Sequence, residues 1–286
     1  MKQFLIVVAI VVATSSVVRG QSVAFDGPKK INGTNLFVKV IGKGEPVLVI
    51  HGGPGLNHTY FLPHLNAIAK KYQLIFYDQR ASGQSAVPNP DSVTLDFFIE
   101  DIEAIRKEFK ITKLNLLAHS WGALPAVVYA MDYPDQVKKL VLVNPVPLST
   151  EYNEELAMLQ KKRITKQDSV DRSQILSSTS FKEGQAEAYQ KLLLMSFRHS
   201  FYKPTNYTKL SLTMPSNYVA ASRALFTGLG KDLAQYNYYP KLERVTAPLL
   251  LIHGTSDVVS TTIQKRLIDA VPTAQLSLFK ASGHFS

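Results

Sequence analysis

Ser120, Asp257 and His284 stand in the order and the local settings that acyl transfer to a hydroxyl requires. A serine attacks a carbonyl only when an imidazole takes its proton, a carboxylate orients that imidazole, and N–H donors meet the developing oxyanion. Ser120 lies in "LLAHSWGA" (116–123), at the end of an apolar run, with Ala118 two residues before it and Gly122 two residues after. A serine held on a tight strand-to-helix turn needs small neighbours at both places, the pattern G-x-S-x-G. Alanine at the first of them adds one methyl to a crowded turn. A carboxylate and then a histidine must follow downstream at strand ends. "LLLIHGTSD" supplies Asp257 and "LSLFKASGH" supplies His284, the only histidine after that aspartate. The run "VLVNPVPLST" offers no acid before Glu151, which makes Asp257 the better candidate.

Upstream, "HGGPG" (51–55) follows an apolar run. A glycine-rich loop there lets a backbone N–H approach a substrate carbonyl without obstruction. The amides of Gly53 and of Trp121, the residue after the serine, are the expected oxyanion donors. His119 and His253 are read as structural. No cluster of histidines and carboxylates has metal-ligand spacing, so neither a metal nor a cofactor is expected.

These residues need strands and helices to hold them. Short β-branched runs such as "PVLVIHGG", "QLIFYDQ", "KLNLLAHS", "KKLVLVNPV", "APLLLIHG" and "AQLSLFKAS" alternate with longer helical ones, "FLPHLNAIAKKY", "TLDFFIEDIEAIRKEFK", "ALPAVVYAMDYP" and "TTIQKRLIDAVP". That alternation predicts an α/β protein with a mostly parallel sheet and helices on both faces. Over 147–246 strand signals vanish and polar, aromatic-rich helical segments take over. This stretch is expected to be a helical lid inserted into a core of 21–146 and 247–286. From Glu151 to Thr246 it carries fourteen Lys or Arg against nine Asp or Glu.

The 286-residue chain is 45% hydrophobic and 19% charged, ordinary values for a soluble protein with a substantial core. Residues 1–20, with a basic start at Lys2 and an apolar stretch from Phe4 to Ala13, read as a secretory signal peptide rather than a membrane anchor. Export to the periplasm or the exterior follows from that reading. The chain has no cysteine, which excludes a lipoprotein anchor and disulfide stapling. Removing Lys2 and Arg19 with the signal lowers the formal charge from +10 to +8. The longest basic run is "KKR" at 161–163, unaccompanied by any aromatic nucleic-acid motif. A solvated surface fits it better than a nucleic-acid partner. N-x-T sequons at Asn32, Asn57 and Asn206 are each open to glycosylation in a eukaryotic source.

Taken together, "HGGPG", "DQRASGQS" and "HSWG" resemble the proline iminopeptidase branch of the α/β-hydrolase family, from about residue 30 to the end. The resemblance implies a nucleophile, acid and base at Ser120, Asp257 and His284 and oxyanion donors at Gly53 and Trp121. It also implies release of an N-terminal residue, preferably proline, from short peptides. Ala81 stands where the family usually has glycine, and Asp78 and Arg80 are expected to brace their loop. Holding a protonated amine calls for carboxylates, and the lid offers Glu183 and Glu187, one helical turn apart, besides Glu151, Glu154 and Glu155. An esterase or other small-molecule hydrolase with the same triad is the alternative reading. A hydrolase-fold binding protein without activity is the second. The expected partner is a small molecule or short peptide, without nucleic acid or stable membrane insertion, and oligomeric state is not legible. Members of the family usually continue into one more helix after the base. The chain is therefore expected to be a C-terminally truncated form, with Leu276, Leu278 and Phe279 incompletely covered and His284 loosely held.

Overall fold

A computed structural model describes residues 23–62 and 64–285. The expected signal segment, 1–20, lies outside them. Eight strands, β1 (Val23–Ile31), β2 (Thr34–Ile41), β3 (Glu45–Ile50), β4 (Tyr72–Tyr77), β5 (Leu114–His119), β6 (Val137–Val143), β7 (Leu249–Gly254) and β8 (Ala274–Phe279), form one sheet in the order β1-β2-β4-β3-β5-β6-β7-β8. β1 and β2 pair antiparallel with their neighbours, and the six strands from β4 to β8 in that order are parallel. The carboxyl ends of β3, β5, β7 and β8 therefore share one edge of the sheet, where ligands of open α/β sheets bind.

Helices α1 (Leu95–Glu108), α2 (Ala123–Asp132) and α8 (Thr261–Ala270) connect the parallel strands, as the apolar spacing predicts. α1 buries Leu95, Phe98, Ile99, Ile102 and Ile105, the face read from the sequence. On β5, β6 and β7 the buried residues Leu114, Leu116, Leu140, Leu142, Leu249 and Leu251 alternate with half-buried Leu117, Val141, Val143 and Ile252 and exposed Leu250. The apolar positions of β8 are likewise incompletely covered: Leu276 is half-buried, and Leu278 and Phe279 are 43% and 51% exposed.

Between β6 and β7 the chain passes through α3 (Asn153–Arg163), α4 (Lys166–Ser177), α5 (Thr179–Lys182), α6 (Ala186–Ser196) and α7 (Tyr218–Ala234). Its two ends are tied together by Thr150 N–H donating to Tyr236 O (2.9 Å) and Tyr238 N–H to Leu148 O (2.8 Å), so the excursion leaves and rejoins the sheet at one place. No described helix is long and apolar enough to cross a membrane.

Three local expectations change. The stretch 61–72 is not an α-helix but holds the end of one short 3-10 segment, His58–Phe61, and the whole of another, His64–Lys70. Pro63 interrupts the run and has no N–H for a helical ladder. The hairpin β1–β2 was not among the predicted strands, although Asn32 and Gly33, at φ 45° and 77°, form its turn and Asn-Gly is a strong hairpin signal. The sequon at Asn57 is closed to glycan in the folded chain, because that side chain is buried and donates to Thr213 O (2.6 Å).

Candidate active site

The turn after β5 places Ser120 at the sheet's carboxyl edge with φ 55°, the left-handed region that a residue other than glycine enters only at a cost. Crowding explains the small neighbours. A Cβ on Gly122 would stand 2.5 Å from His51 O and 2.7 Å from Ile50 O, and one on Gly52 would stand 2.8 Å from the Ser120 Cβ. Ala118 is fully buried in β5, paired in register with Ile50 and Leu142. Its extra methyl fits the core. Ala81 is likewise buried at φ 55°, so the departure from glycine there is accommodated as well.

Asp257 follows β7 and His284 follows β8, and both converge on the serine. His284 Nε2 lies 2.7 Å from Ser120 Oγ, and its Nδ1 lies 2.8 Å from Asp257 Oδ2. Burial pushes the Asp257 carboxyl up, but the attraction and hydrogen bond of His284 outweigh it and hold it below the usual carboxylate value. A second Asp257 oxygen accepts from Val259 N–H at 3.2 Å. Such a chain can pass the serine proton to Nε2 while the carboxylate steadies the resulting imidazolium.

His284 is firmly gripped, contrary to the loose base expected. Its N–H donates to Ser200 O (2.6 Å), and its carbonyl accepts from Asn144 Nδ2 (2.7 Å) and His119 Nε2 (3.0 Å). Phe285 stacks on Phe201 and meets Phe197 edge-on, both from the segment between β6 and β7.

Gly53 lies in the loop after β3 and Trp121 follows the serine in its 3-10 turn, Ser120–Gly122, and the Gly53 amide donates to no protein acceptor among the described residues. Gly53 has φ 133°, and a Cβ there would stand 2.6 Å from Gly55 N. The preceding peptide is set by His51. Its Nε2 accepts from Gln79 N–H (2.9 Å), which leaves Nδ1–H to donate to Gly52 O (2.8 Å). With Gly52 O held on one side of that C–N bond, the Gly53 N–H, trans to it in the same plane, points the opposite way. Burial pushes the His51 imidazole down to about 4, so it stays neutral and keeps this tautomer.

A family model described as alpha/beta hydrolase fold matches residues 45–286. The chain belongs to the α/β-hydrolase family. It is 25% identical over 281 residues to the proline iminopeptidase of Lactobacillus helveticus (strain DPC 4571), with 91% of this chain and 92% of that protein covered. It is 29% identical to the proline iminopeptidase of Clostridium botulinum (strain Hall / ATCC 3502 / NCTC 13319 / Type A), with 85% and 84% covered. In three dimensions it superposes on an alpha/beta fold family hydrolase from Bacillus anthracis str. Sterne with a TM-score of 0.70 at 21% identity, covering 92% of this chain and 94% of that one.

Within this α/β-hydrolase, Glu183 and Glu187 lie exposed on the helical segment between β6 and β7, and Glu183 accepts from Gln185 Nε2 (3.0 Å). No contact among the described residues brings either one to Ser120, Asp257 or His284. Sequence reading passed over Tyr60 and took His119 as structural without its partners. The hydroxyl of Tyr60 accepts from Gly52 N–H (2.6 Å) and donates to His119 Nδ1 (2.9 Å), and His119 Nε2–H then donates to the carbonyl of His284. Burial pushes His119 down to about 3 and keeps it neutral. One directional chain thus runs from the glycine-rich loop through the residue before Ser120 to His284. The position of His119 beside Ser120 was the available signal, but the direction of its ring was not. His253, also singled out, donates from Nε2 to Val259 O (2.9 Å), with Nδ1 3.9 Å from Asp257 Oδ2.

Proposed function

We propose that this protein is a serine hydrolase that forms an acyl-enzyme on Ser120 and releases N-terminal residues, preferably proline, from short peptides. The observation that carries the first half is the unbroken hydrogen-bonded line from Asp257 through His284 to Ser120. In this reading Oγ attacks the substrate carbonyl as its proton passes to His284 Nε2. The oxyanion meets the amides of Gly53 and Trp121. Collapse of the tetrahedral species expels the leaving amine, which takes the proton back from His284. Water, deprotonated by the same imidazole, then frees Ser120.

The preference for an N-terminal residue rests on likeness to curated proline iminopeptidases. A specific observation favours an esterase as the second reading: the carboxylates of the lid are exposed or already engaged. Asp168 accepts from Arg198 and His199 at 2.7 Å each, and Glu151 pairs with Arg266. An incoming amine meets no buried, unpaired acid among them.

Fluorophosphonate labelling tests the mechanism, since wild-type protein should label at Ser120 and Ser120→Ala should not. Prolyl, alanyl and leucyl anilides compared with N-acetyl-prolyl anilide and short nitrophenyl esters test the substrate. Faster turnover of the unblocked prolyl anilide than of its acetylated form supports the aminopeptidase. Equal rates on both, with faster ester cleavage, assign the esterase. We also propose export with loss of residues 1–20, which N-terminal sequencing of the extracytoplasmic protein tests.

A further inference from the structure

The basic run 161–163 does not behave as one solvated surface. Lys161 and Lys162 are exposed, but Arg163, the last residue of α3, is half-buried and turned toward the sheet. Its Nη1 donates to the carbonyl of His199 (3.0 Å) and its Nη2 to the carbonyl of Asp257 (2.9 Å). One guanidinium therefore joins two lid segments to the backbone of the acid. Among the described residues, Arg163 is the only donor to that Asp257 carbonyl.

The other end of the bridge is equally fixed. His199 Nε2 and Arg198 Nη1 both meet the carboxylate of Asp168, which also accepts from Thr165 N–H (2.8 Å). Ser200, the next residue, accepts from His284 N–H, and a Cβ on Gly283 would stand 2.3 Å from Ser200 O. The lid segment 198–201 thus rests directly on the base, and Arg163 ties that segment to the acid. The loop bearing Asp257 is otherwise held through its own N–H groups, with Ser256 N–H on Ser282 O (2.9 Å) and Asp257 N–H on Gly254 O (3.0 Å). On its carboxyl-terminal side Val259 holds it too, its N–H on Asp257 Oδ1 (3.2 Å) and its carbonyl on His253 Nε2 (2.9 Å), while Arg163 supplies the tie to the lid.

We propose that Arg163 is a positioning residue for the reaction of Ser120, its planar fork locking the acid-bearing loop and the lid segment over His284 into one geometry. The inference rests on the serine-hydrolase reading. A lysine preserves the charge but replaces the rigid planar fork with a compact ammonium on a flexible stem, which does not fix the two carbonyls in one geometry. Arg163 touches no reacting atom, and it acts through the orientation of the Asp257–His284 pair.

The experiment compares wild type, Arg163→Met, Arg163→Lys and, as a control on an exposed lid cation, Arg172→Met. The readouts are thermal unfolding, kcat and KM on whichever substrate the wild type turns over, fluorophosphonate labelling rate, and the low-field proton resonance of the Asp257–His284 hydrogen bond. Arg163→Met and Arg163→Lys should both lower kcat and the labelling rate by about 10- to 10²-fold, the loss expected from a misplaced catalytic group. KM should change by less than about twofold, and the low-field resonance should shift or broaden. Arg172→Met should match wild type. Wild-type kcat in folded Arg163→Met overturns the proposal. So does full recovery in Arg163→Lys, which assigns the effect to charge alone. Wild-type protein that the probe does not label overturns the serine-hydrolase reading itself, a separate result from loss confined to the Arg163 variants.

Discussion

His284 Nε2 stands 2.7 Å from Ser120 Oγ across 164 positions of sequence, and the backbone of His284 is what holds it there. Ser200, in the segment between β6 and β7, accepts its N–H, while Asn144 after β6 and His119 before the serine both donate to its carbonyl. Three separate parts of the fold therefore set one interatomic distance.

Ser120→Ala and His284→Ala are each expected to lower turnover by several orders of magnitude with circular dichroism unchanged. Because the members act as a unit, the double variant should lose little more than either single one. Steady-state kinetics on the three proteins measure this, and near-normal turnover in folded Ser120→Ala would end the serine mechanism.

Gly122→Ala should damage both stability and activity. The new methyl would fall within 2.7 Å of two backbone oxygens, His51 O and Ile50 O, neither of which moves without disturbing β3. Overpacking of this kind costs about 1–3 kcal/mol. Displacement of Ser120 should lower kcat by about 10²-fold. A melting curve and rate equal to wild type would contradict this picture of the turn.

Acid should weaken the fold before it protonates the paired carboxylates. Burial lowers the imidazoles of His51 to about 4 and His119 to about 3 from an ordinary 6.5. Between those values the unfolded chain binds protons that the folded chain refuses, so stability falls as pH drops below about 6.5. The slope is up to about 1.4 kcal/mol per pH unit for each residue. Asp257, whose folded value is also lowered, adds its loss only as pH falls below the ordinary carboxylate range. Urea unfolding at pH 7, 5.5 and 4.5 checks the trend, and constant stability across that range contradicts it.

Asp101→Ala should destabilise by about 3–5 kcal/mol, the cost of leaving a buried charge unpaired. Arg80 is fully buried, donates from Nε to Asp101 Oδ2 (2.8 Å) and from Nη1 to Ser92 O (2.5 Å), and lies 4.7 Å above the Phe97 ring. Replacing both partners together, Arg80→Met with Asp101→Leu, should cost much less than the single change. Chemical denaturation of the two variants separates these outcomes.

The period of the apolar residues was enough to predict β3 to β8, α1, α2 and α8, because a parallel sheet covered by helices writes short β-branched runs between amphipathic ones. The same pattern located Ser120, Asp257 and His284, since each ends a legible strand and the turn at Ser120 needs small neighbours. Other features depend on contacts between distant segments and leave no periodic trace. Arg163 reads as one cation of three until the fold carries the end of α3 to the carbonyl of Asp257. His119 reads as a bystander until Tyr60 and the His284 carbonyl fix its tautomer. Glu151, Glu183 and Glu187 look available for an amine until tertiary packing gives Glu151 to Arg266 and leaves Glu183 and Glu187 in solvent. Local sequence determined which residues stand at strand ends. Only the tertiary structure decided how their backbones are gripped, because those hydrogen bonds join distant segments, 94 positions apart from Arg163 to Asp257 and 165 from His119 to His284.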